Sequence, residues 1–258
     1  MTPLTALVLA GTRGGGDPLA AYAGVSHKAL IEVGGQTMIE RVVQALAAVP
    51  EVTRIVIAIE QPELLRDLPG LQPPACAKPI TTMVPAAGPS ATVAAALVAE
   101  GTPLLVTTAD HALLQTRWVQ EFLVACPADG DVVVALARRD VVEAAAPHTR
   151  RTWLRFADGD FSGCNLFLMA QPDAAGAARL WSEMERDRKA PLRMMQRLGW
   201  TFALRYRLGW LTSAAAMARL GALADGARLS IVALHDGRAA IDVDKPADLD
   251  LVRRLVAR

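Results

Sequence analysis

Residues 6–28 read ALVLAGTRGGGDPLAAYAGVSHK, and this stretch decides the fold. The apolar run 6–10 has the length of a buried β-strand and no alternating polar positions. A loop with several glycines follows it, namely Gly11, Gly14, Gly15 and Gly16. Because glycine has no Cβ, such a loop can bring backbone N–H groups close to an anionic ligand. Two basic residues, Arg13 and Lys28, flank the loop, so the predicted ligand is a polyphosphate.

Two well-known phosphate-binding motifs are excluded by their spacing. A P-loop could begin at Gly11 and reach Gly16, but Asp17 follows where that motif requires lysine. The dinucleotide fingerprint G-x-G-x-x-G, begun at Gly14, requires a glycine at position 19, where the chain has Leu19. On this stretch alone, a simple glycine-rich turn remains the alternative to a phosphate-binding loop.

Length and composition limit the class of protein. The chain has 258 residues, 52% of them hydrophobic and 21% charged, which is typical of a globular protein with a sizeable core. The net charge of +1 gives no reason to expect nucleic acid as a partner. The three cysteines form no C-x-x-C pair, which suits a reducing compartment. No segment approaches the roughly 18 uninterrupted apolar residues of a membrane span. We therefore expect a cytoplasmic protein without membrane contact.

Strands and helices alternate from the loop to residue 137. Further strands are predicted at 53–59, 80–84, 103–107 and 131–137. Helices are predicted at 38–48, 91–100 and 116–125. Thr37 and Glu40 have the spacing of a capping box at the start of the first helix, and Ser90 is the expected N-cap of the second. This alternation predicts a three-layer α/β/α fold with a doubly wound, mostly parallel, Rossmann-like sheet.

The second half is less regular and predicts an α+β elaboration of this sheet. A hairpin is predicted around the turn residues ADGD at 157–160. Its strands are expected at 151–156 and 161–169, with helices at 173–187, 191–198, 214–223 and 247–256 and a strand at 227–234. No linker-like composition divides the chain. We therefore predict a single domain over 1–258, with a nucleotide-binding half at 1–137 and an acceptor-binding half at 138–258.

Acidic residues in two places are candidates for chemistry. Asp110 follows a buried strand, and open α/β sheets bind ligands at the carboxyl ends of their strands. Asp242 and Asp244 form a D-x-D, and in extended structure they would point to opposite faces, so only one is expected to reach a shared site. Helix capping is the alternative role. Acids from distant strand ends beside a polyphosphate loop are what Mg²⁺ held by carboxylates and phosphates requires.

Taken together, these motifs resemble those of MobA-like nucleotidyltransferases, which have a GT-A-type fold. The matching segments follow the family order: LAGTR at 9–13, KALIEVGGQTMI at 28–39, GPSAT at 88–92, TTAD at 107–110 and IDVDKPADL at 241–249. The chain departs from the family's L-A-G-G-x-S-x-R-M-G loop and from its P-K pair, because His27 precedes Lys28.

The resemblance implies transfer of a nucleoside monophosphate from an NTP, with CTP favoured, to a phosphorylated small-molecule acceptor, with release of pyrophosphate. It implies Mg²⁺ as cofactor on Asp110 and Asp244, with Asp242 as the alternative ligand. Lys28 and Arg13 would offset charge on the phosphates. Nucleotide contacts are implied for Leu9, Ala10, Gly11, Thr12, Gly14, Gly15, Gly16, Gly88, Ser90 and Thr92. Acceptor contacts are considered for Asn165, Lys189 and Arg193, although a solvated helix surface is the favoured role of the last two.

Two other classes of function stay open at this point: a GT-A glycosyltransferase that uses a nucleotide-sugar, and a non-catalytic nucleotide-binding module. His27 and His111 adjoin the predicted site, and we expect structural roles for both. Residues 205–223 could contact a membrane or a lipid-linked acceptor. We favour burial of this segment as a helix.

Overall fold

The computed structural model describes residues 3–12, 17–147, 149–187 and 190–257, with the backbone alone for residues 191 and 192. The β-strands are β1 Leu4–Leu9, β2 Glu32–Val33, β3 Gln36–Thr37, β4 Val52–Ala58, β5 Ile80–Met83, β6 Leu104–Thr108, β7 Val132–Arg138, β8 Leu154–Phe156, β9 Gly159–Met169 and β10 Leu229–Leu234. The α-helices are α1 Pro18–Ala23, α2 Met38–Ala47, α3 Pro89–Glu100, α4 Thr116–Ala125, α5 Arg139–Ala145, α6 Ala174–Asp187, α7 Pro191–Leu198, α8 Trp200–Arg207, α9 Ser213–Leu223 and α10 Pro246–Val256.

Among the described residues, eight of the ten strands form a mostly parallel sheet in the order β10-β7-β9-β6-β1-β4-β5, with β8 paired to β9. The other two, β2 and β3, pair with each other in a separate antiparallel sheet. β1 is parallel to β4 and β6, β4 is parallel to β5, and β7 is parallel to β10. β9 is antiparallel to both of its neighbours, β6 and β7. The α/β fold predicted from the sequence is confirmed, and a strand of the second half lies in the middle of the sheet.

The core lies on both faces of the sheet, as the apolar run of β1 predicts. Ala6 and Val8 belong to one cluster of buried side chains and Leu7 to another, because successive residues of a strand point to opposite faces. Helices α2, α4 and α10 cover the first face, and α3 and α6 cover the second. The sheet is therefore buried between two layers of helices, which leaves its strand ends as the accessible edges.

Helix starts show where local sequence rules held and where one failed. The capping box of α2 is confirmed, since Thr37 Oγ1 accepts from the Glu40 N–H at 3.3 Å and Glu40 Oε2 accepts from the Thr37 N–H at 2.8 Å. The prediction of Ser90 as N-cap of α3 is wrong. That helix begins at Pro89 with Gly88 as its N-cap, because proline suits the first helical position, where no N–H is needed.

Several elements differ from the sequence prediction. The sequence predicts no helix at α1, α5 or α8. The segment between β4 and β5 contains 3₁₀ turns at Pro62–Leu65 and Pro69–Leu71. The expectation that 205–223 is buried is wrong for its first part, because α8 has no buried residue. In α9 the buried residues are Ala216 and Gly221.

Candidate active site

A cleft with a volume of about 640 Å³ opens at the carboxyl ends of β1, β4 and β6. Most of the predicted site residues that the structure describes line this cleft: Leu9, Ala10, Gly11, Thr12, Lys28, Gly88, Thr92, Asp110 and Asp244. Arg13, Gly14, Gly15 and Gly16 lie outside the described residues. The cleft therefore gathers segments that are far apart in the sequence at the edge where α/β sheets bind ligands.

Lys28 joins the two predicted metal-binding acids. Its Nζ donates to Asp110 Oδ2 at 2.6 Å and to Asp244 Oδ1 at 2.9 Å. The Asp110 carbonyl oxygen also accepts from the Val243 N–H at 3.1 Å, which fixes the closing segment of the chain to the end of β6. The structure thus assembles two carboxylates and one ammonium from three separate segments into one charged cluster.

The ionisation of this cluster follows from its burial and its charges. Burial by itself would lower the pKa of Lys28, but the adjacent Asp110 and Asp244 carboxylates outweigh it and raise that pKa above its ordinary value. Burial raises the pKa of Asp110, and the Lys28 ammonium opposes this effect. Lys28 is therefore a fixed positive charge at the floor of the cleft.

Asp242 points away from Asp244, as the alternation of an extended segment predicts. Its Oδ2 accepts from Asn165 Nδ2 at 2.8 Å, and its Oδ1 pairs with the guanidinium of Arg151. The side chains of Asp242 and Arg151 are 15% and 11% exposed, so this is a mostly buried ion pair. Both carboxylate oxygens of Asp242 are engaged inside the protein, whereas Asp244 faces the cleft with Asp110. Sequence reasoning missed Arg151, which no local motif distinguishes.

Asn165 reaches Asp242 because β9 is irregular at this point. Between Gly163 and Phe167 the register of β9 against β7 shifts, and Asn165 has a left-handed backbone with φ +47°. Such a bulge re-aims the side chain of the residue within it. Asparagine tolerates this conformation better than most residues, which explains a polar residue at this position in a buried strand.

Arg193, a second acceptor candidate, does not line the cleft described above. Arg193 is on α7 with a side chain that is 76% exposed, and its nearest acidic partner is Asp187 at 3.8 Å. Lys189 lies outside the described residues. Of the two acceptor candidates that the structure describes, Asn165 is therefore the one that lies next to an acidic residue of the site.

Hydrogen bonds of Thr92 and of Ser90 stabilise the turn at Gly88. Thr92 Oγ1 donates to the Gly88 carbonyl oxygen at 2.8 Å and accepts from the Ala86 N–H at 2.9 Å. Ser90 does not line the cleft, because its N–H and hydroxyl donate to the Glu185 carboxylate of α6. A Cβ at position 88 would lie 3.0 Å from Glu185 Oε1, so glycine permits this close approach. In the sequence Glu185 looks like one of several charges on a solvated helix.

Glu60, at the end of β4, is a further cleft residue that sequence reasoning missed. Its Oε1 accepts from the Thr12 N–H at 2.8 Å, so this amide of the glycine loop is already occupied. Its Oε2 lies 3.8 Å from Nε2 of His27, and Nδ1 of His27 accepts from the Ala29 N–H at 3.1 Å. His27 therefore fits the structural role expected for it, since it orients the segment that carries Lys28.

His111 is buried and stacks on Trp118 with 6.2 Å between ring centroids. Burial lowers the pKa of His111 to about 4, so its ring is neutral at physiological pH. A neutral, enclosed ring fits a packing role better than proton transfer.

Metal-binding capacity is limited to pairs of acids in the part of the chain that the structure describes. No group of three or more His, Cys, Asp or Glu side chains there could hold a metal ion. Asp110 and Asp244 nevertheless converge on one cation, the ammonium of Lys28. Magnesium ions that are delivered with nucleotide phosphates are commonly held by only one or two carboxylates, so this pair fits that chemistry.

The mostly parallel sheet and the charged cleft at its strand ends are those of a nucleotidyltransferase with a GT-A-like fold. The chain belongs to the family described as MobA-like NTP transferase domain, which matches residues 6–197. The family match settles the class of activity in favour of a nucleotidyltransferase over the glycosyltransferase and non-catalytic alternatives.

Solved structures are similar over essentially the whole chain. A hypothetical transferase from Thermus thermophilus is 29% identical, with a TM-score of 0.79 over 96% of this chain and 100% of that one. The 4-diphosphocytidyl-2C-methyl-D-erythritol synthase from Anaerococcus prevotii is 10% identical, with a TM-score of 0.63 over 100% and 99%. A CMP:2-keto-3-deoxy-manno-octonic acid synthetase complexed with CTP is 16% identical, with a TM-score of 0.58 over 99% of each chain. The last two show the fold alone. No curated protein matches significantly.

Proposed function

We propose that the protein transfers a nucleoside monophosphate, with CTP as the favoured donor, to a phosphorylated small-molecule acceptor and that the reaction requires Mg²⁺. The observation that carries this proposal is the convergence of Asp110 and Asp244 on Lys28 Nζ, at 2.6 and 2.9 Å, in a cleft that begins with a glycine loop.

The reaction needs little from the protein beyond positioning. An oxygen of the acceptor phosphate attacks the α-phosphorus and forms a new P–O bond, while the bond from that phosphorus to the bridging oxygen breaks. The electron pair leaves with pyrophosphate. A phosphate monoester has its second pKa near about 6, so the acceptor is already a nucleophile at neutral pH and no general base is required. Orientation of the two phosphates and stabilisation of their charge are therefore the main tasks.

Lys28 is proposed to stabilise the negative charge on the phosphates of the NTP. Its ammonium is protonated and its side chain is only 17% exposed, so water screens the charge little. Arg13 and the glycines at 14–16 would add donors from the same loop. Gly88 and Thr92 also line the cleft, and the base is proposed to lie against them. Ser90 would act on the base only indirectly, because its hydrogen bonds to Glu185 of α6 hold the turn at Gly88 in place.

Asp110 and Asp244 are proposed to hold Mg²⁺ together with oxygens of the NTP, with Asp242 as the alternative ligand. When bound, the ion would supply further neutralisation of the phosphate charge. The fit rests on the donor set, since Oδ2 of Asp110 and Oδ1 of Asp244 already share one cation. Lys28 would then pair with a phosphate oxygen. Asp242 is the weaker candidate because Arg151 and Asn165 engage both of its oxygens.

On the acceptor side, Asn165 is the favoured contact because it lies beside Asp242 within hydrogen-bonding distance. Arg193 on α7 would reach an acceptor only if that acceptor extended beyond the cleft. Lys189 stays a candidate from the sequence. CTP is favoured because two proteins of the same fold are named for cytidine nucleotides, although their identity to this chain is low.

Pyrophosphate release tests the proposal. The assay compares the four NTPs, with and without Mg²⁺, over a panel of phosphorylated metabolites. We expect CTP to be used best and activity to disappear when Mg²⁺ is chelated. Asp110→Asn and Asp244→Asn should each lose more than about tenfold in kcat/KM. Asp140→Asn is the matched control, because that carboxylate is 70% exposed on α5.

Three results would contradict parts of the proposal. Loss of less than about tenfold in Asp110→Asn would remove the metal role of this residue. Preference for another NTP would overturn the choice of base. Full activity in the presence of chelator would overturn the requirement for Mg²⁺.

A further inference from the structure

Helix α8 places an apolar stripe in solvent. Trp200, Leu204 and Leu208 follow one another at four-residue spacing, so they lie on one face of the helix. Their exposed fractions are 58%, 56% and 45%. A helix of a globular protein normally buries such a stripe against the core. Here the described structure leaves it uncovered.

The turn after α8 adds a second exposed tryptophan to this stripe. Gly209, with φ +70°, ends the helix, and the N–H of Trp210 donates to the Arg205 carbonyl oxygen at 2.8 Å. This hydrogen bond holds Trp210, which is 65% exposed, next to the helix. We call Trp200, Leu204, Leu208 and Trp210, together with the exposed Arg205 and Arg207, the α8 surface.

Helix α8 is held against strand β8 by Tyr206. The Tyr206 hydroxyl accepts from the Arg155 N–H at 3.4 Å, and its ring meets the edge of Phe156 at 6.3 Å between centroids. Both partners belong to β8, which pairs with the central strand β9. The exposed stripe is therefore presented on a helix that is fixed to the sheet.

The segment of the sequence that carries this surface is basic. Residues 188–224 contain no Asp or Glu but seven Lys and Arg. Elsewhere the chain has 20 basic and 26 acidic residues, so positive charge is concentrated in this segment. Arg193 and Arg197 pair with the acidic residues Asp187 and Glu183 of α6. Arg205 and Arg207 of α8 are exposed. Exposed tryptophan beside arginine is a combination found where proteins contact the membrane–water interface. Arginine then pairs with anionic headgroups while the apolar side chains enter the boundary of the acyl chains.

We infer that the α8 surface binds the surface of a bilayer that contains anionic lipids, with α8 lying in the plane of the interface. The contact is peripheral, since no helix of the described residues has the length and hydropathy to cross a bilayer. This inference replaces the expectation of no membrane contact and does not depend on the identity of the NTP or the acceptor.

Two other occupants fit the surface less well. In a two-fold dimer the same basic segment would face itself, with no acid in it to pair with the arginines. A single-stranded nucleic acid would stack its bases on aromatic rings, but Leu204 and Leu208 offer no ring at two of the exposed positions.

Cosedimentation of the full chain with vesicles tests the inference. The vesicles consist of phosphatidylcholine alone or of equal parts of phosphatidylcholine and phosphatidylglycerol. We expect binding to the mixed vesicles that is at least about tenfold tighter than to phosphatidylcholine alone. The double variants Trp200→Ser/Trp210→Ser and Arg205→Gln/Arg207→Gln should each weaken binding about tenfold or more. Val98→Ser is the control, because Val98 is an apolar side chain that is 90% exposed on α3.

The comparison of the two vesicle types needs only the unaltered protein, so it stands even if a variant folds poorly. Equal or absent binding to both vesicle types would overturn the inference. So would a concentration-dependent dimer that Trp200→Ser/Trp210→Ser dissolves, or binding of a single-stranded RNA oligomer that excludes the vesicles. Failure of the pyrophosphate assay leaves these vesicle measurements unaffected, so the two proposals fail separately.

Discussion

Lys28 is the residue on which the charged cluster depends. Its ammonium separates two carboxylates that would otherwise face each other across the cleft. When the two acids hold no metal ion, the positive charge of the lysine balances their negative charge. A metal ion at the proposed site would therefore compete with the ammonium for Oδ2 of Asp110 and Oδ1 of Asp244.

Replacement of Lys28 by methionine should therefore have two opposite effects. Without the ammonium, the proposed nucleotidyl transfer should fall by about 100-fold or more in kcat/KM, because charge on the phosphates is no longer offset. Affinity for Mn²⁺, measured by calorimetry without nucleotide, should rise, because the competing cation is gone. Lys28→Arg keeps the charge and serves as the control for metal affinity. Unchanged metal affinity in Lys28→Met would contradict the shared position of the two cations.

Asp131 connects three strands of the sheet, β7, β9 and β10, through its hydrogen bonds. The Asp131 carboxylate, just before β7, accepts from the Arg228 N–H at 2.7 Å and from its guanidinium at 3.1 Å. The Asp131 carbonyl oxygen accepts from the Ala170 N–H at 2.8 Å, next to the end of β9. One residue thus connects the starts of β7 and β10 to the end of β9.

This contact predicts an acid-dependent stability. Hydrogen bonds from Arg228 hold the pKa of Asp131 below its ordinary value of about 3.9. Its contribution to stability is therefore complete above that value and is lost as the pH falls through the lower pKa of the folded state. We expect Asp131→Asn to be less stable than the unaltered protein at pH 7, by urea unfolding. The difference should shrink below about pH 4. A difference that is constant with pH would show that Asp131 acts through packing alone.

At the scale of the molecule, the cleft connects the two ends of the sequence. Lys28 and Asp110 belong to the first half, and Asp244 precedes the last helix, α10. A ligand that contacts all three should oppose unfolding of the whole chain, because it binds the folded state alone. The α8 surface lies on a different part of the second half, next to β8.

Nucleotide binding should accordingly raise the melting temperature. At a ligand concentration of about 100 times Kd the expected stabilisation is about 2.7 kcal/mol. For a chain of this size that corresponds to about 5–10 °C in Tm. We expect the largest shift with CTP and Mg²⁺ together, measured by thermal denaturation, and loss of its Mg²⁺-dependent part in Asp244→Asn. A larger shift with another NTP would contradict the choice of CTP.

Much of the fold could be predicted because its signals are local. The buried run of β1, the capping box of Thr37 and Glu40, and the alternation of strands and helices are each contained in a few neighbouring residues. Alternation in turn restricts the sheet to a mostly parallel one. The same signals indicated that Lys28, Asp110 and one of two aspartates lie at one edge, because parallel strands end on the same side.

Only the tertiary structure decided how the site is assembled. Lys28 is 82 residues from Asp110 and 216 residues from Asp244, and no local pattern records such partners. The roles of Arg151 and Glu185 could not be predicted for the same reason. Each looks like an ordinary surface charge in the sequence until its distant partner is known. The exposure of α8 also depends on what the rest of the chain leaves uncovered. Local sequence determines which elements form, whereas long-range packing determines which side chains meet and which remain in solvent.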